Sequence, residues 1–410
     1  MMTEHLFSEP VLKDLYFGPL EPFLNCFEGL LLDQGYRRTS IQEKIRVVAD
    51  FRVWLHQQHV GINELSDRSI DEFIKHQERK DPIRRGHFAT LRSLVQHLGH
   101  PDVTFDLQRE DCIVHDIEKR FAQHLSQERG LAQTTVETYV SHIRHFLDDR
   151  FDAGAIQIHK LNPGDITAFL LRYVKTVKRI TAKSMTTALR AFFRYLRLWG
   201  EIDANLAEFI PRIADWRLSE LPKSLEGNEV ERLLSSCNRS NKVGQRDYTI
   251  LLVLARLGLR AGEVAEMTLD DIDWEAGEII IQGKGPRKDR LPLPWDVGEA
   301  LVTYLQHGRP ACSTRRIFIR AKAPHRGFSS SVAVCNVVER ALLRAKLQPP
   351  RKGAHLLRHS LATNMLRKGT SLSEIGEILR HASITTTEIY TKVDIAGLRT
   401  LAQPWPGGVV

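Results

Sequence analysis

The stretches RKGAHLLRHSLATNMLRKG (residues 351–369) and EIGEILRHASITTTEIYTKV (residues 374–393) decide how the C-terminal half is read. In the first, Leu357, Leu361 and Met365 recur at four-residue steps and define one face of an amphipathic helix. His355 and Arg358, three residues apart, share another face, which aims an imidazole and a guanidinium at one point. HxxR is not a metal pair, and no third ligand of suitable spacing accompanies it. His359 is expected to face elsewhere on the helix, as a packing or hydrogen-bonding residue. In the second stretch Leu379, Arg380 and His381 close one helix, and Ser383 through Tyr390 begin another. A tyrosine near a chain end is by default a half-buried packing residue, so only a combination of signals gives Tyr390 a further meaning.

Upstream, GEIIIQGKGPRKDRLPLP (277–294) holds two β-type runs around Gly283, Lys284, Gly285 and Pro286, the pattern of a hairpin with Lys284 at its tip. Lys288 and Arg290 beside it suit contacts to backbone phosphates. Further back, LARLGLRAGEVAEMTLDDIDW (254–274) ends an apolar helix at Gly258, turns, and restarts at Arg260 with Glu263 three residues on. Such an arginine can be held rigidly against the protein with its fork outward, although a local surface ion pair is the commoner meaning of the pattern. The helical segments SLEGNEVERLLSSC, starting near Gly227 or Asn228, and DYTILLVLARLGL open this region as a separate domain, residues 224–410.

The N-terminal half reads differently. LLDQGYRRTSIQEKIRVVADFRVWL, LSDRSIDEFI and TLRSLVQHL are followed in the same order by HLSQERGLAQTTVETYVSHIRHFLDDRF, LNPGDITAFL and ALRAFFRYL. Gly35 aligns with Gly130, Thr39 with Thr134, Phe51 with Phe146, Ile70 with Ile166, Phe73 with Phe169 and Leu91 with Leu189, which indicates an internal duplication of one helical unit. Apolar steps of three and four (Ile41, Ile45, Val48; Val136, Val140, Ile143) make both copies small helical bundles. The copies occupy residues 1–105 and 111–202, with a linker at 203–223 marked by Pro211 and Pro222. Pattern alone leaves packing and DNA binding about equally open for them. Arg37, Arg38, Lys175, Lys178, Arg179, Lys183, Arg190, Arg194 and Arg197 stand where they could meet phosphates.

Composition sets the frame. At 410 residues and 42% hydrophobic, the chain can bury two or three cores, and its net charge of +8 favours a polyanionic partner. Five cysteines without CxxC spacing suggest neither a zinc site nor a disulfide framework. With no apolar run of about 18 residues and no basic-then-apolar start, a cytoplasmic protein without membrane insertion is expected.

Arg260, Lys284, His355, Arg358, His381 and Tyr390, in this order, resemble the six-residue signature of the tyrosine recombinase, or phage integrase, family. The resemblance covers about Ser224 to Thr400 through GLRAGE, GKGPRKDRLPLP, HLLRHSLAT and LRHASITTTEIYTKV. Four motifs in order carry far more weight than any one of them. It implies a mainly α fold, with a small β-sheet or hairpin in an integrase-type catalytic domain, preceded by SAM-like helical DNA-binding domains, of which the second copy is similar to the core-binding domain.

The family mechanism then implies a role for each residue. Arg260 and Arg358 bind the nonbridging oxygens of a phosphodiester. Tyr390 attacks phosphorus and keeps a 3′-phosphotyrosyl link, His355 assists proton movement, His381 hydrogen-bonds the phosphate and Lys284 protonates the leaving 5′-oxygen. No metal or nucleotide cofactor is implied. The partners implied are double-stranded DNA, further copies in a homotetramer on paired sites, and in some systems sister recombinases. The tail TKVDIAGLRTLAQPWPGG (391–408) resembles the short helix that family members dock into a neighbour, and packing on its own domain fits its spacing equally well. A type IB topoisomerase shares nearly the same residue kit, and a binding protein that had lost cleavage would not need all six side chains.

Overall fold

The computed structural model describes residues 21–61, 65, 67–78, 86–98, 113–151, 157–213, 222–283, 288–381, 383 and 386–393. The chain divides into two compact units, one formed by residues 101–217 and the other by residues 1–100 together with 218–410. Lys284, the residues from 394 onward and most of the Pro211–Pro222 stretch lie outside the described residues.

In the 101–217 unit, α-helices run over Ile113–Gln123, Gln133–Phe151, Pro163–Thr176 and Arg179–Leu198. The third begins with a full capping arrangement. Asn162 accepts from the amides of Gly164 and Asp165, the Asp165 carboxylate accepts from the Asn162 amide, and Pro163 sits where no amide hydrogen is needed. The core is built from Phe121, Ile143, Phe146, Ile166, Phe169, Leu189 and Phe192, with edge-on ring contacts such as Phe146–Phe169 at 5.1 Å. Leu206, Ala207 and Ile210 also pack into this core, so the 203–223 segment starts as part of the bundle. Arg190 is occupied there: its Nη2–H donates to the carbonyls of Ile210 and Pro211, which corrects the expectation that it is free for phosphate. Lys175, Lys178, Arg179, Lys183, Arg194 and Arg197 are exposed.

The first helical copy has the same order of elements, with helices Glu21–Asp33, Arg38–Gln57, Asp67–Glu78 and Gly86–His97. The aligned residues behave alike. Phe51 and Phe146, Ile70 and Ile166, Phe73 and Phe169, and Leu91 and Leu189 are all buried, and Gly35 and Gly130 both adopt left-handed backbone, at φ +80° and +59°. The surroundings of the two glycines differ. A Cβ on Gly130 would meet nothing, whereas one on Gly35 would lie 2.2 Å from the ring of His325, whose amide donates to the Gln34 carbonyl at 2.9 Å. This corner is therefore seated against the loop around His325.

The remainder of that unit is organised by α1 (Lys242–Leu257), which is buried on almost every side, as expected of a helix that reads apolar all round. Against it pack α2 (Ala261–Glu266), α3 (Trp295–Thr303), α4 (Ser331–Arg344) and α5 (Ala354–Arg367), and α6 (Leu372–Ile378) packs on α5. The predicted hairpin is present as β2 (Glu278–Gln282) and β3 (Lys288–Pro292), and β1 (Ile272–Asp273) completes a three-stranded antiparallel sheet of order β1-β2-β3. Ile279 and Ile281 face the core, while Lys288 and Arg290 are exposed on β3. Among the described residues no helix is long and apolar enough to cross a membrane.

Gly244, in the first turn of α1, has no room for a side chain: a Cβ there would sit 1.8 Å from the Asn238 carbonyl oxygen. Gly244→Ala is expected to destabilise this unit by about 1–3 kcal/mol through backbone displacement, which a lowered thermal midpoint in calorimetry would register. An unchanged midpoint would show that the turn at Asn238 yields freely.

Candidate active site

Five of the six signature residues lie on three local structures that meet. The first is the end of α1. Gly258 closes it in left-handed conformation, φ +60°, and a Cβ there would press on Leu379 at 2.7 Å and Leu361 at 3.0 Å, so the position takes glycine both for its backbone and for its closeness to α5 and the end of α6. Arg260 follows as the cap of α2. Its amide donates to Glu263 Oε2 at 2.8 Å, its Nη1–H to Glu263 Oε1 at 2.7 Å and its Nη2–H to the Arg380 carbonyl at 3.3 Å. The side chain remains 39% exposed, so the fork is held in place but accessible.

The second is α5. His355, Arg358 and His359 stand at steps of three and four, and Leu357 and Ala362 on other faces are buried in apolar clusters. Arg358 is 4% exposed, and its Nη1–H and Nη2–H donate to the carbonyls of Gly258 and Leu379. These carbonyls belong to the C-terminal ends of α1 and α6, where backbone partial charges favour a cation. Burial, together with the neighbouring guanidinium groups of Arg260 and Arg380, lowers its pKa to about 10, which still leaves it charged at neutral pH. His355 is exposed; partial desolvation and the charges of Arg358 and Arg260 hold its pKa below the usual histidine value.

The third is the segment after α6. His381 bonds through Nδ1 to the Thr387 hydroxyl at 2.7 Å, and Gly376 lets Thr387 approach, since a Cβ there would lie 3.1 Å from that hydroxyl. Tyr390 sits on a 3-10 turn, Glu388–Val393, rather than on the further α-helix that its sequence suggests. It is 1% exposed, and its hydroxyl lies 2.8 Å from Nδ1 of His359. His359 thus does not face away from the other two residues; it lies one turn beyond His355, with ring centroids 6.4 Å apart, and touches Tyr390. The four-residue step from His355 was the available signal.

Burial pushes the Tyr390 phenol up to about 12, with Arg358 opposing, and holds His359 and His381 down to about 4. In this pose the proton therefore stays on Tyr390 and His359 accepts its hydrogen bond. Burial also pushes Tyr304 up to about 12, but that ring stacks on Phe318 in the apolar core, so a raised phenol alone does not mark a nucleophile. The neutral histidines give a pH prediction. The unfolded chain takes up protons on them near pH 6.5, the folded protein only near 4. Their contribution is complete above about 6.5 and is lost as the pH falls toward 4. The thermal midpoint should drop across that window, less steeply when His359 and His381 are both replaced by asparagine; equal slopes would contradict the assignment.

The match to known proteins agrees with this arrangement. Residues 223–396 match the phage integrase family and residues 119–199 its N-terminal SAM-like domain. The chain is 40% identical to y4rA of Sinorhizobium fredii, designated an integrase/recombinase, over 95% of each protein, and 30% identical to the tyrosine recombinase XerC of Oceanobacillus iheyensis over 68% of this chain and 92% of that one. Its fold is similar to that of the XerH site-specific recombinase bound to its difH substrate before cleavage, at 24% identity and TM-score 0.52, covering 69% of this chain and 82% of that one. A lambda integrase dimer bound to a COC′ core site aligns at TM-score 0.51 and 21% identity, over 72% of this chain and 99% of the other. The chain belongs to the phage integrase family of tyrosine recombinases, enzymes that cut and rejoin DNA strands.

Proposed function

We propose that this recombinase acts on double-stranded DNA at specific sites, in the integration, excision or transposition of mobile DNA, with Tyr390 as its nucleophile. The observation that carries the reading is the convergence of Arg260 and Arg358 on the carbonyls of Arg380 and Leu379, next to His381, with Tyr390 joined through His359 to α5, the helix that carries Arg358. The two guanidinium groups bind the nonbridging oxygens and gain most when charge accumulates on the pentavalent phosphorus. A neutral His381 whose Nδ1 accepts from Thr387 carries its proton on Nε2 and donates it to a third phosphate contact.

Tyr390 Oη bonds to phosphorus while the bond to the 5′-oxygen breaks. The phenol proton leaves with the help of His355, the departing oxygen takes a proton from Lys284, and a 3′-phosphotyrosyl link remains. Attack by a 5′-hydroxyl from another strand reverses these steps and rejoins the DNA. Because Tyr390 is buried on His359, DNA binding must draw its 3-10 turn outward before attack. Strand exchange requires two duplexes in one assembly, so the active form is a tetramer on paired sites, a homotetramer unless sister recombinases supply some of its subunits. The 111–202 unit serves as the core-binding domain, the 224–410 region as the catalytic domain, and the 1–105 unit as an addition that lengthens the DNA footprint or contacts a neighbour.

The test is incubation of the protein with nicked, labelled duplexes from DNA flanking its own gene, with chelator and without ATP. A protease-sensitive species of low mobility in denaturing gels is the expected product. Binding without such an adduct on any duplex would overturn the cleavage reading.

A further inference from the structure

Arg380 breaks three local rules at once. It is a non-glycine residue in left-handed backbone, φ +54°, a conformation in which its Cβ crowds the carbonyl. Its side chain is only 5% exposed, although nothing apolar is gained by burying a guanidinium. Among the described residues its Nε–H and Nη1–H have no hydrogen-bond partner; Asp289 of β3 has its Oδ2 3.9 Å from Nε, beyond hydrogen-bond reach. A glycine would relieve all three. The arginine that stands there instead spends its one good side-chain bond on a single atom, donating from Nη2 to Glu263 Oε2 at 2.7 Å.

That atom is decisive for Arg260. Glu263 is 8% exposed and is the acid that carries Arg260, taking its amide on Oε2 and its Nη1–H on Oε1. A carboxylate held by Arg260 alone could rotate about its last bond and take the fork with it; a second guanidinium on Oε2 fixes the plane. The Arg380 carbonyl holds the other end of the same fork through Arg260 Nη2. Arg380 thus holds Arg260 from both sides, once through the Glu263 carboxylate and once through its own carbonyl.

We propose that Arg380 is a positioning residue for strand cleavage, setting the Arg260 guanidinium through the Glu263 carboxylate and through its own backbone carbonyl. The inference rests on Arg260 being a phosphate-binding group, as proposed above. The left-handed backbone, the burial and the unpartnered donors are the structural consequences of placing a second cation on Glu263. Misplacing a charge-binding group by about 1 Å is enough to lower a rate by about 100-fold.

The test compares full-length wild type with Arg380→Gly and Arg380→Asn, two residues that accept this backbone, on a nicked duplex that the wild type cleaves. The expected result is a thermal midpoint equal to or above that of wild type, unchanged DNA affinity, and a rate of adduct formation at saturating DNA lowered about 10- to 100-fold in both variants. A residue with a merely structural role would lower the midpoint instead. In an Arg260→Lys background, which keeps the charge and is expected to cleave slowly, the further loss of Arg380 should cost less than about 2-fold, because the group it positions is already gone. Full cleavage by both Arg380 variants, or an equal loss in the two backgrounds, would overturn the proposal. Wild-type rates in Arg260→Lys would instead show that the reading of Arg260 fails.

Discussion

Tyr390→Phe is expected to remove the covalent protein–DNA adduct entirely while leaving DNA affinity within about 2-fold. The substitution deletes one oxygen from a side chain that is 1% exposed and hydrogen-bonded to His359. Losing that hydrogen bond costs on the order of 1 kcal/mol of stability, too little to unfold the domain. The chemistry has no substitute, because a phenyl ring has no atom with which to bond phosphorus. Gel electrophoresis under denaturing conditions reads the adduct, and a native gel on the same DNA reads binding. An adduct that persists in the variant would move the nucleophile elsewhere.

The second large effect is at Arg358, where structure and chemistry are lost together. Its two donated bonds serve buried carbonyls at the ends of α1 and α6, and leaving those unpartnered costs about 1–3 kcal/mol each. Arg358→Ala should therefore lower the thermal midpoint markedly and abolish cleavage. Arg358→Lys separates the two consequences. A lysine restores the charge between the helix ends but not the planar fork, so most of the stability should return while adduct formation stays at least about 100-fold below wild type. If the lysine variant cleaves at the normal rate, Arg358 serves only to join the helices.

The two roles of Arg358 illustrate what a linear sequence conveys. Periodicity revealed the helix that carries His355 and Arg358, because Leu357, Leu361 and Met365 mark its packed side. The pairing of Phe51 with Phe146 and of Ile70 with Ile166 was equally visible, and all four side chains are buried. The end of α1 at Gly258 was marked by its glycine, and the β2–β3 hairpin by two β-type runs flanking a glycine-rich turn. Less visible was anything decided by the approach of distant segments. Tyr390 lies on a 3-10 turn because Thr387 packs against Gly376 and bonds His381, contacts that local propensity does not encode. Arg190 looked like its exposed neighbours until Ile210 and Pro211 folded back onto it. Arg380 gave no signal at all, for its meaning comes from Glu263, 117 positions away in sequence.

The most direct measurement of the central claim is the identity of the residue bonded to DNA. Adduct trapped on a nicked duplex, digested with nuclease and trypsin and sequenced by mass spectrometry, should place the phosphate on the peptide His381–Lys392, whose one tyrosine is Tyr390. A phosphate found on Tyr304 or Tyr248, or on a serine, would contradict the account.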